Sequence, residues 1–393
     1  MNRYFIFIES NTSGTGYEYI RRAASKYRVL FITADPGRYT LPGDVSFELA
    51  VTDTKDLGAV VRVCSEAAKK SGLVGIMSSS EYYVEIAAAA AAVFGLPGNS
   101  SVAVAQARNK QYQRQAMQEC GLACPRYRTL LTEQDAADID DFPVIIKPTD
   151  GSGSSGVHLC LTPEVARAHA SALFAEFGRP LLAEEYIVGD EYSAEVIGMT
   201  IIGFTKKHLG ELPFFVETGH DFPCVLPDDL ANKAEEAILK LCRALGLEFG
   251  PKHVEFRIRG NNVYIIEVNP RLAGGHIPTV MEYALGRSIL DTVISLYAGE
   301  ETEIFKAVPG ETCETSIRFL IPETDGCLCP FDTELPKAEF GNILDVRMYR
   351  TPGYLFRPCG DFRDRVGHVI FTRSSAENET AVMDFVRCRL RTA

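Results

Sequence analysis

His253-Val254-Glu255-Phe256-Arg257-Ile258, a turn at Arg259-Gly260-Asn261-Asn262, and Val263-Tyr264-Ile265-Ile266-Glu267-Val268-Asn269 read as one β-hairpin carrying two carboxylates. Folding about the turn sets Glu255 opposite, or nearly opposite, Glu267. Period-2 alternation sends Glu255, Glu267 and Asn269 to one face and Val254, Phe256, Ile266 and Val268 to the other. Like charges opposed across strands repel. A bound cation removes that penalty, and an all-oxygen Glu/Glu/Asn set with room for waters and phosphates suits Mg²⁺. The competing reading is an exposed pair screened by solvent.

Upstream, the apolar run Val144-Ile145-Ile146-Lys147-Pro148 ends in a lysine and enters Thr149-Asp150-Gly151-Ser152-Gly153-Ser154-Ser155-Gly156. Glycines and hydroxyls in such a loop let backbone N–H groups and serine donors converge on phosphate oxygens. A Walker loop carries its lysine after the glycines and leads into a helix. Here the lysine comes first and a strand follows, so the loop is expected to be a hairpin flap. Next, Leu181-Leu182-Ala183-Glu184-Glu185-Tyr186-Ile187-Val188-Gly189-Asp190-Glu191 is a strand that breaks into an open segment. Its backbone can meet an adenine edge, and Glu191 can accept from ribose hydroxyls. The alternative is an acidic, solvated face.

The rest of the 393 residues organises around these elements. Residues 1–108 alternate strands (Tyr4–Ile8, Val29–Thr33, Val74–Met77) with helices, which means a parallel sheet with helices on its faces. Ser80 is a candidate cap for a helix through Ala87–Ala92, stopped by Gly95 and Pro97. The turn Ser13-Gly14-Thr15-Gly16, with Asp35 after the second strand, imitates a dinucleotide fingerprint. Tyr19 stands where its third glycine belongs, so a tight strand-to-helix turn is the better reading, with a role in holding the edge of a small substrate left open. A helix is expected over Lys110–Glu119, and the tail from about 302 reads as a separate α+β piece.

Composition excludes other classes. Apolar residues at 46% and charged ones at 23% exclude disorder. No apolar run approaches the ~18 residues that span a bilayer, and the opening segment is too short for a secretory h-region. A net charge of −12 argues against a nucleic-acid binder. Eleven scattered cysteines, without paired zinc-ligand spacing, point to free thiols in a reducing cytoplasm.

Taken in order, the elements resemble the ATP-grasp superfamily: Lys110 on a linker helix, Lys147 before the flap, the Glu184–Glu191 hinge, Glu255, and Glu267-x-Asn269-x-Arg271. The resemblance spans residues 1–300. It implies an ATP-grasp fold, α/β and α+β, with a Rossmann-like parallel-sheet domain (1–108), a linker helix and lid (109–192), a central catalytic subdomain (193–301) and a C-terminal α+β domain (302–393). It also implies that Lys110, Lys147 and the Gly151–Gly156 loop contact ATP phosphates. Glu184, Glu185, Tyr186 and Ile187 would meet adenine, largely through backbone, and Glu191 ribose. Glu255, Glu267 and Asn269 would hold magnesium, as two ions, with Mn²⁺ as a substitute.

Within that superfamily the chain is similar to the L-amino-acid ligases, dipeptide synthetases that include enzymes of peptide-antibiotic biosynthesis. The similarity lies in Phe215–Pro223, in Asn269-Pro270-Arg271-Leu272-Ala273-Gly274-Gly275-His276-Ile277-Pro278, and in Ile317–Leu320 and Asp364–His368 of the tail. It implies a carboxylate–amine ligase working through an acyl phosphate on amino-acid substrates, with a homodimer left open. Arg271 would reach the acyl phosphate and the oxyanion. Glu217 would pair with an ammonium group, beside His220. Gly274, Gly275 and His276 lie where side chains vary with the amino acid handled. Two alternatives stay open: an ATP-grasp ligase of the carboxylating or nucleotide-precursor kind, and a nucleotide-binding protein without turnover.

Overall fold

The computed structural model describes residues 3–12, 15–151, 153, 155–308, 310–322, 324–373 and 376–387. Its first unit is a parallel sheet of β1 (Tyr4–Ile8), β2 (Arg28–Thr33), β3 (Glu48–Val51) and β4 (Leu73–Met77), in the order β3-β2-β1-β4. Phe5, Phe7, Val29 and Phe31 enter one core while Tyr4, Ile6, Leu30 and Ile32 enter another. Helices Gly16–Ala24 and Ile289–Tyr297 cover the first face, Leu57–Ser71 and Val84–Val93 the second. Strand order switches direction between β1 and β4, so a crevice opens at their carboxyl ends. The helix expected to start at Ser80 starts at Val84 instead. Ser78 Oγ accepts from the Ser80 N–H and the Ser80 carbonyl from the Tyr83 N–H, so residues 78–83 form turns that leave Glu81 outside the helix.

The second unit is an antiparallel sheet of β5 (Tyr127–Leu130), β6 (Val144–Pro148), β7 (His158–Cys160) and β8 (Leu181–Glu185), ordered β5-β8-β6-β7. β6 and β7 pair, so the glycine-rich segment is a hairpin connection as expected. Helix Pro163–Phe177 closes this unit's core with Ala166, Ala170 and Leu173.

The remaining strands are β9 (Glu191–Ile197), β10 (Thr200–Leu209), β11 (Glu217–Phe222), β12 (Pro251–Arg259), β13 (Asn262–Asn269) and β14 (Thr315–Leu320). After them come β15 (Gly326–Cys327), β16 (Ile343–Met348), β17 (Leu355–Phe356) and β18 (Gly367–Thr372). Eight form one sheet, β13-β12-β9-β10-β11-β14-β18-β16. Of the tail's strands, β14, β18 and β16 extend this sheet, while β15 and β17 pair as a two-stranded sheet of their own. β14 pairs with β11 from Gly219↔Arg318 to Phe222↔Thr315, satisfying an edge whose N–H and C=O groups would otherwise stand open.

The hairpin β12–β13 holds Glu255 directly opposite Glu267, but a bulge follows: Phe256 pairs with Ile265, leaving Ile266 as the extra residue. Ile265 therefore takes the core position beside Val254, Phe256 and Val268. Ile266, expected to face that core, turns to the cleft side with Glu267.

Candidate active site

A cleft lies between the β5–β8 sheet and β9–β13, lined by apolar side chains and convergent polar and charged groups, concave as small-molecule sites are. Most of the expected residues line it: Lys110, Lys147, Gly151, Gly153, Ser155, Glu184–Ile187, Glu191, Glu217, Glu255, Glu267, Asn269 and Arg271. Gly156 packs toward Pro148 and Leu173 instead. Ser152 and Ser154 lie outside the described residues. His220, Gly274, Gly275 and His276 do not line the cavity.

At the flap end the charges interlock. Lys147 meets the Glu184 carboxylate, which Arg114 grips from the other side at 2.9 Å. Burial opposes ionisation of Glu184, yet Arg114 and Lys147 outweigh it and hold its carboxyl down at about 2. Burial lowers the Lys147 ammonium against the pull of Glu184, and Arg114 and Lys110 add to the lowering. Lys110, at the start of helix Lys110–Glu119, reaches Glu267 at 2.9 Å and the Gly151 carbonyl at 2.8 Å. It thus ties the flap to the hairpin. Glu185 is held by Arg126 and Arg259. Arg257 pairs with Glu191 at 2.8 Å, donates to the Ile187 carbonyl and lies over the Tyr186 ring. Gly189 at this hinge has φ +146, and a β-carbon there would lie 2.0 Å from the Ile258 carbonyl oxygen, so only glycine fits.

The cleft carboxylates around the hairpin are partly neutralised by the chain itself. Lys207 stands 2.8 Å from Glu191, Glu217 and Glu255 alike. His253 bridges Glu195 and Glu255 at 3.1 and 3.2 Å. Burial opposes its charge, but the two carboxylates outweigh that and push its pKa up to about 9. Burial likewise opposes ionisation of Glu255, and Lys207 and His253 hold it well below the ordinary carboxylate range. Among the described residues no three His, Cys, Asp or Glu side chains group at metal-binding distances, so a metal here depends on Asn269 as a ligand. Two glutamate carboxyls and an amide oxygen on one cleft wall fit a hard, oxygen-seeking cation such as Mg²⁺.

The opposite end is more loosely paired. Arg271 meets Glu81, which the N-terminal unit contributes. Glu217 binds Lys207 and, at 2.6 Å, Arg365, whose guanidinium lies 4.0 Å over the Phe319 ring. His220 lies behind Glu217, fully buried, edge-on to Phe319, with no hydrogen-bond partner for either ring nitrogen. Burial, with Arg365 and Lys207 nearby, brings its pKa down to about 3 against the pull of Glu217. Gly275 has φ +58, and a β-carbon there would lie 2.7 Å from His220 Nε2. Its neighbour His276 has φ 57 and stacks on Tyr349 at 5.7 Å. Gly274 faces open space.

Sequence reasoning missed Arg114, Lys207, Arg257, Arg365 and Glu81. Two had a readable signal. Lys110, Gln113, Arg114 and Met117 are the buried stripe of their helix, at helical spacing. Lys207 alternates with buried Thr205 on β10, and an inward lysine requires carboxylate partners.

An ATP-grasp domain model matches residues 140–280. Protein y4rH of Sinorhizobium fredii is 32% identical over 391 residues, covering 96% of this chain and 80% of its own. The alanine–anticapsin ligase of Bacillus amyloliquefaciens is 26% identical over 346 residues, 74% of this chain and 73% of the ligase. The crystal structure of an L-amino acid ligase from Bacillus licheniformis superposes with a TM-score of 0.83 at 19% identity, covering 100% and 99% of the two chains. The matched domain, the shared architecture and the cleft that joins flap, hairpin and Arg271 agree: the chain belongs to the ATP-grasp family of ligases.

Proposed function

We propose that the protein joins an amino acid, or an N-substituted amino acid, to a second amino acid, giving a dipeptide or amide with ADP and phosphate. The observation that carries this reading is that Lys110, Lys147, the Glu255/Glu267/Asn269 face and Arg271 line one cavity. A substrate carboxylate there would attack the γ-phosphorus of ATP, releasing ADP and leaving an acyl phosphate; an amine would then displace the phosphate. Phosphoryl transfer rests on positioning and charge neutralisation. Lys110 and Lys147 hold phosphate oxygens, while Tyr186, Ile187 and Glu191 receive the nucleoside. Mg²⁺ bound by Glu255, Glu267 and Asn269 would supply further neutralisation of the transferring group. Arg271 bridges the acyl phosphate and the developing oxyanion with a planar, permanently charged fork. Glu217, backed by His220, orients the ammonium group of the activated amino acid. The reaction belongs in the cytoplasm, where the ten cysteines among the described residues stay free thiols. The likeness to alanine–anticapsin ligase supports a role in peptide-antibiotic assembly.

The test is a phosphate-release screen of amino acids, singly and in pairs, with ATP and Mg²⁺ and mass spectrometry of the products. A ligated pair one water lighter than its parts is expected. A carboxylated product, or ATP binding with no ADP from any amino acid, would replace this reading with one of its rivals.

A further inference from the structure

We propose that Glu81 is the carboxylate that receives the attacking amine and takes its proton. This rests on the ligase reading above and supplies the general base that the sequence leaves unnamed. Six other carboxylates line the cleft, and each already has a commitment. Glu184, Glu185, Glu191, Glu217 and Glu255 each face two cationic side chains. Glu267 belongs to the candidate metal face and holds Lys110. Glu81 differs: it is 5% exposed, lines the same cavity, and has Arg271 as its one ion-pair partner among the described residues. His220 is a poorer base, because it does not line the cavity.

The charged groups facing Glu81 are Arg271 from the segment after β13 and Lys110 from its helix, with Glu255 and Glu267 beyond them. Arg271 is also the group assigned to the acyl phosphate. Once that anhydride forms, its dianionic phosphate draws the guanidinium away and leaves a buried carboxylate without its ion-pair partner, since Lys110 is held by Glu267 and the Gly151 carbonyl. A lone buried charge is strongly unfavourable, so Glu81 then attracts a new cation, the ammonium of the incoming amine. The exchange makes the amine site competent only after activation. Behind Arg271 a smaller cavity lined by Asn11, Thr15, Ser78, Ser79 and Tyr297 opens at the carboxyl ends of β1 and β4, where the amine's side chain would lie.

The step balances. Glu81 takes one proton from R–NH₃⁺, and the freed lone pair attacks the acyl carbon and forms the C–N bond. The C–O bond to phosphate then breaks with its electron pair leaving on phosphate. The second proton of the nitrogen departs to that phosphate, giving the amide and hydrogen phosphate.

The test compares two nucleophiles in the full-length protein. Hydroxylamine is already unprotonated at neutral pH and traps the acyl phosphate as a hydroxamate without a base. In Glu81→Gln, dipeptide formation should fall about 100-fold or more, while hydroxamate formation stays within a few-fold of wild type. Its dipeptide rate should then climb about tenfold per pH unit above neutrality, as free amine becomes available. Glu81→Asp, which keeps a carboxylate, should lose less and retain the wild-type pH profile. Equal loss of dipeptide and hydroxamate would make Glu81 merely a prop for Arg271 and overturn the proposal, as would near wild-type dipeptide synthesis. A wild-type protein that forms neither product from any amino acid would instead reject the ligase reading itself.

Discussion

The two ends of the cleft handle charge differently. Around the flap and hairpin, Lys207 touches three carboxylates, Glu184 is gripped by Arg114 and Lys147, and Glu191 by Arg257 and Lys207. Toward Arg271 the pairing thins: among the described residues Glu81 has a single ion-pair partner, and His220 has no hydrogen bond and only Glu217 at 3.7 Å. A buried charge network with every member satisfied is rigid, and one with spare capacity can exchange partners. On the proposed function, the flap and hairpin end would hold one geometry, whereas the Arg271 end would change partners as an acyl phosphate forms.

The sharpest way to break this contrast is Glu267→Gln. It keeps the side-chain shape but offers a neutral amide, a much weaker ligand for Mg²⁺ than a carboxylate. No measurable turnover is expected, with circular dichroism unchanged. Near wild-type activity at modest Mg²⁺ would remove the metal assignment from the hairpin.

Lys207→Met tests the interlocked end through stability. Removing one partner of a buried ion pair costs about 3–5 kcal/mol. Glu191, Glu217 and Glu255 keep Arg257, Arg365 and His253 respectively, so the loss should stay near that range instead of tripling. Urea denaturation reads it directly. A change below about 1 kcal/mol would mean that the three carboxylates do not depend on this lysine.

How much of this was legible follows from how local each feature is. The opposition of Glu255 and Glu267 could be read because a short turn fixes the register and alternation fixes the face. The bulge at Ile266 could not, since it changes which residue is inward without altering composition. Strand Thr315–Leu320 was legible as a strand, but its pairing with β11 joins residues about a hundred positions apart, and no local pattern announces a partner. Glu81 was the least accessible. It sits in a turn after β4, and its meaning comes from Arg271, 190 residues away on another unit.

Arg271→Lys probes the exchanging end by kinetics. Lysine keeps the charge but cannot bridge a phosphate and an oxyanion with a planar fork. Losing a comparable oxyanion donor costs roughly 10²–10³ in turnover, or about 3–4 kcal/mol, while ATP affinity should persist. Calorimetric ATP binding beside single-turnover ligation separates the two. Collapse of binding with turnover surviving at saturating ATP would make Arg271 a nucleotide ligand.

The smallest expected effect has the opposite sign, and so sharpens the comparison most. His220 is buried with no hydrogen bond to either ring nitrogen, Glu217 standing 3.7 Å from Nε2, a cost to the fold of about 1–3 kcal/mol for a polar group left unsatisfied. His220→Leu removes the polar atoms at similar volume beside Phe319, so it should stabilise the protein by up to that amount while lowering ligation. A substitution that gains stability and loses activity marks a group kept for function. The pH dependence supplies an independent check. The folded pKa, about 3, lies below the unfolded value of about 6.5. The unfolded chain therefore binds the extra proton first, and wild-type stability is lost as pH falls from about 6.5 toward 3. The variant lacks this group, so its stability curve should be flatter over that window. Destabilisation at neutral pH, or parallel curves below 6.5, would show that His220 is held by bonds like those at the flap end and that the contrast between the two ends fails there.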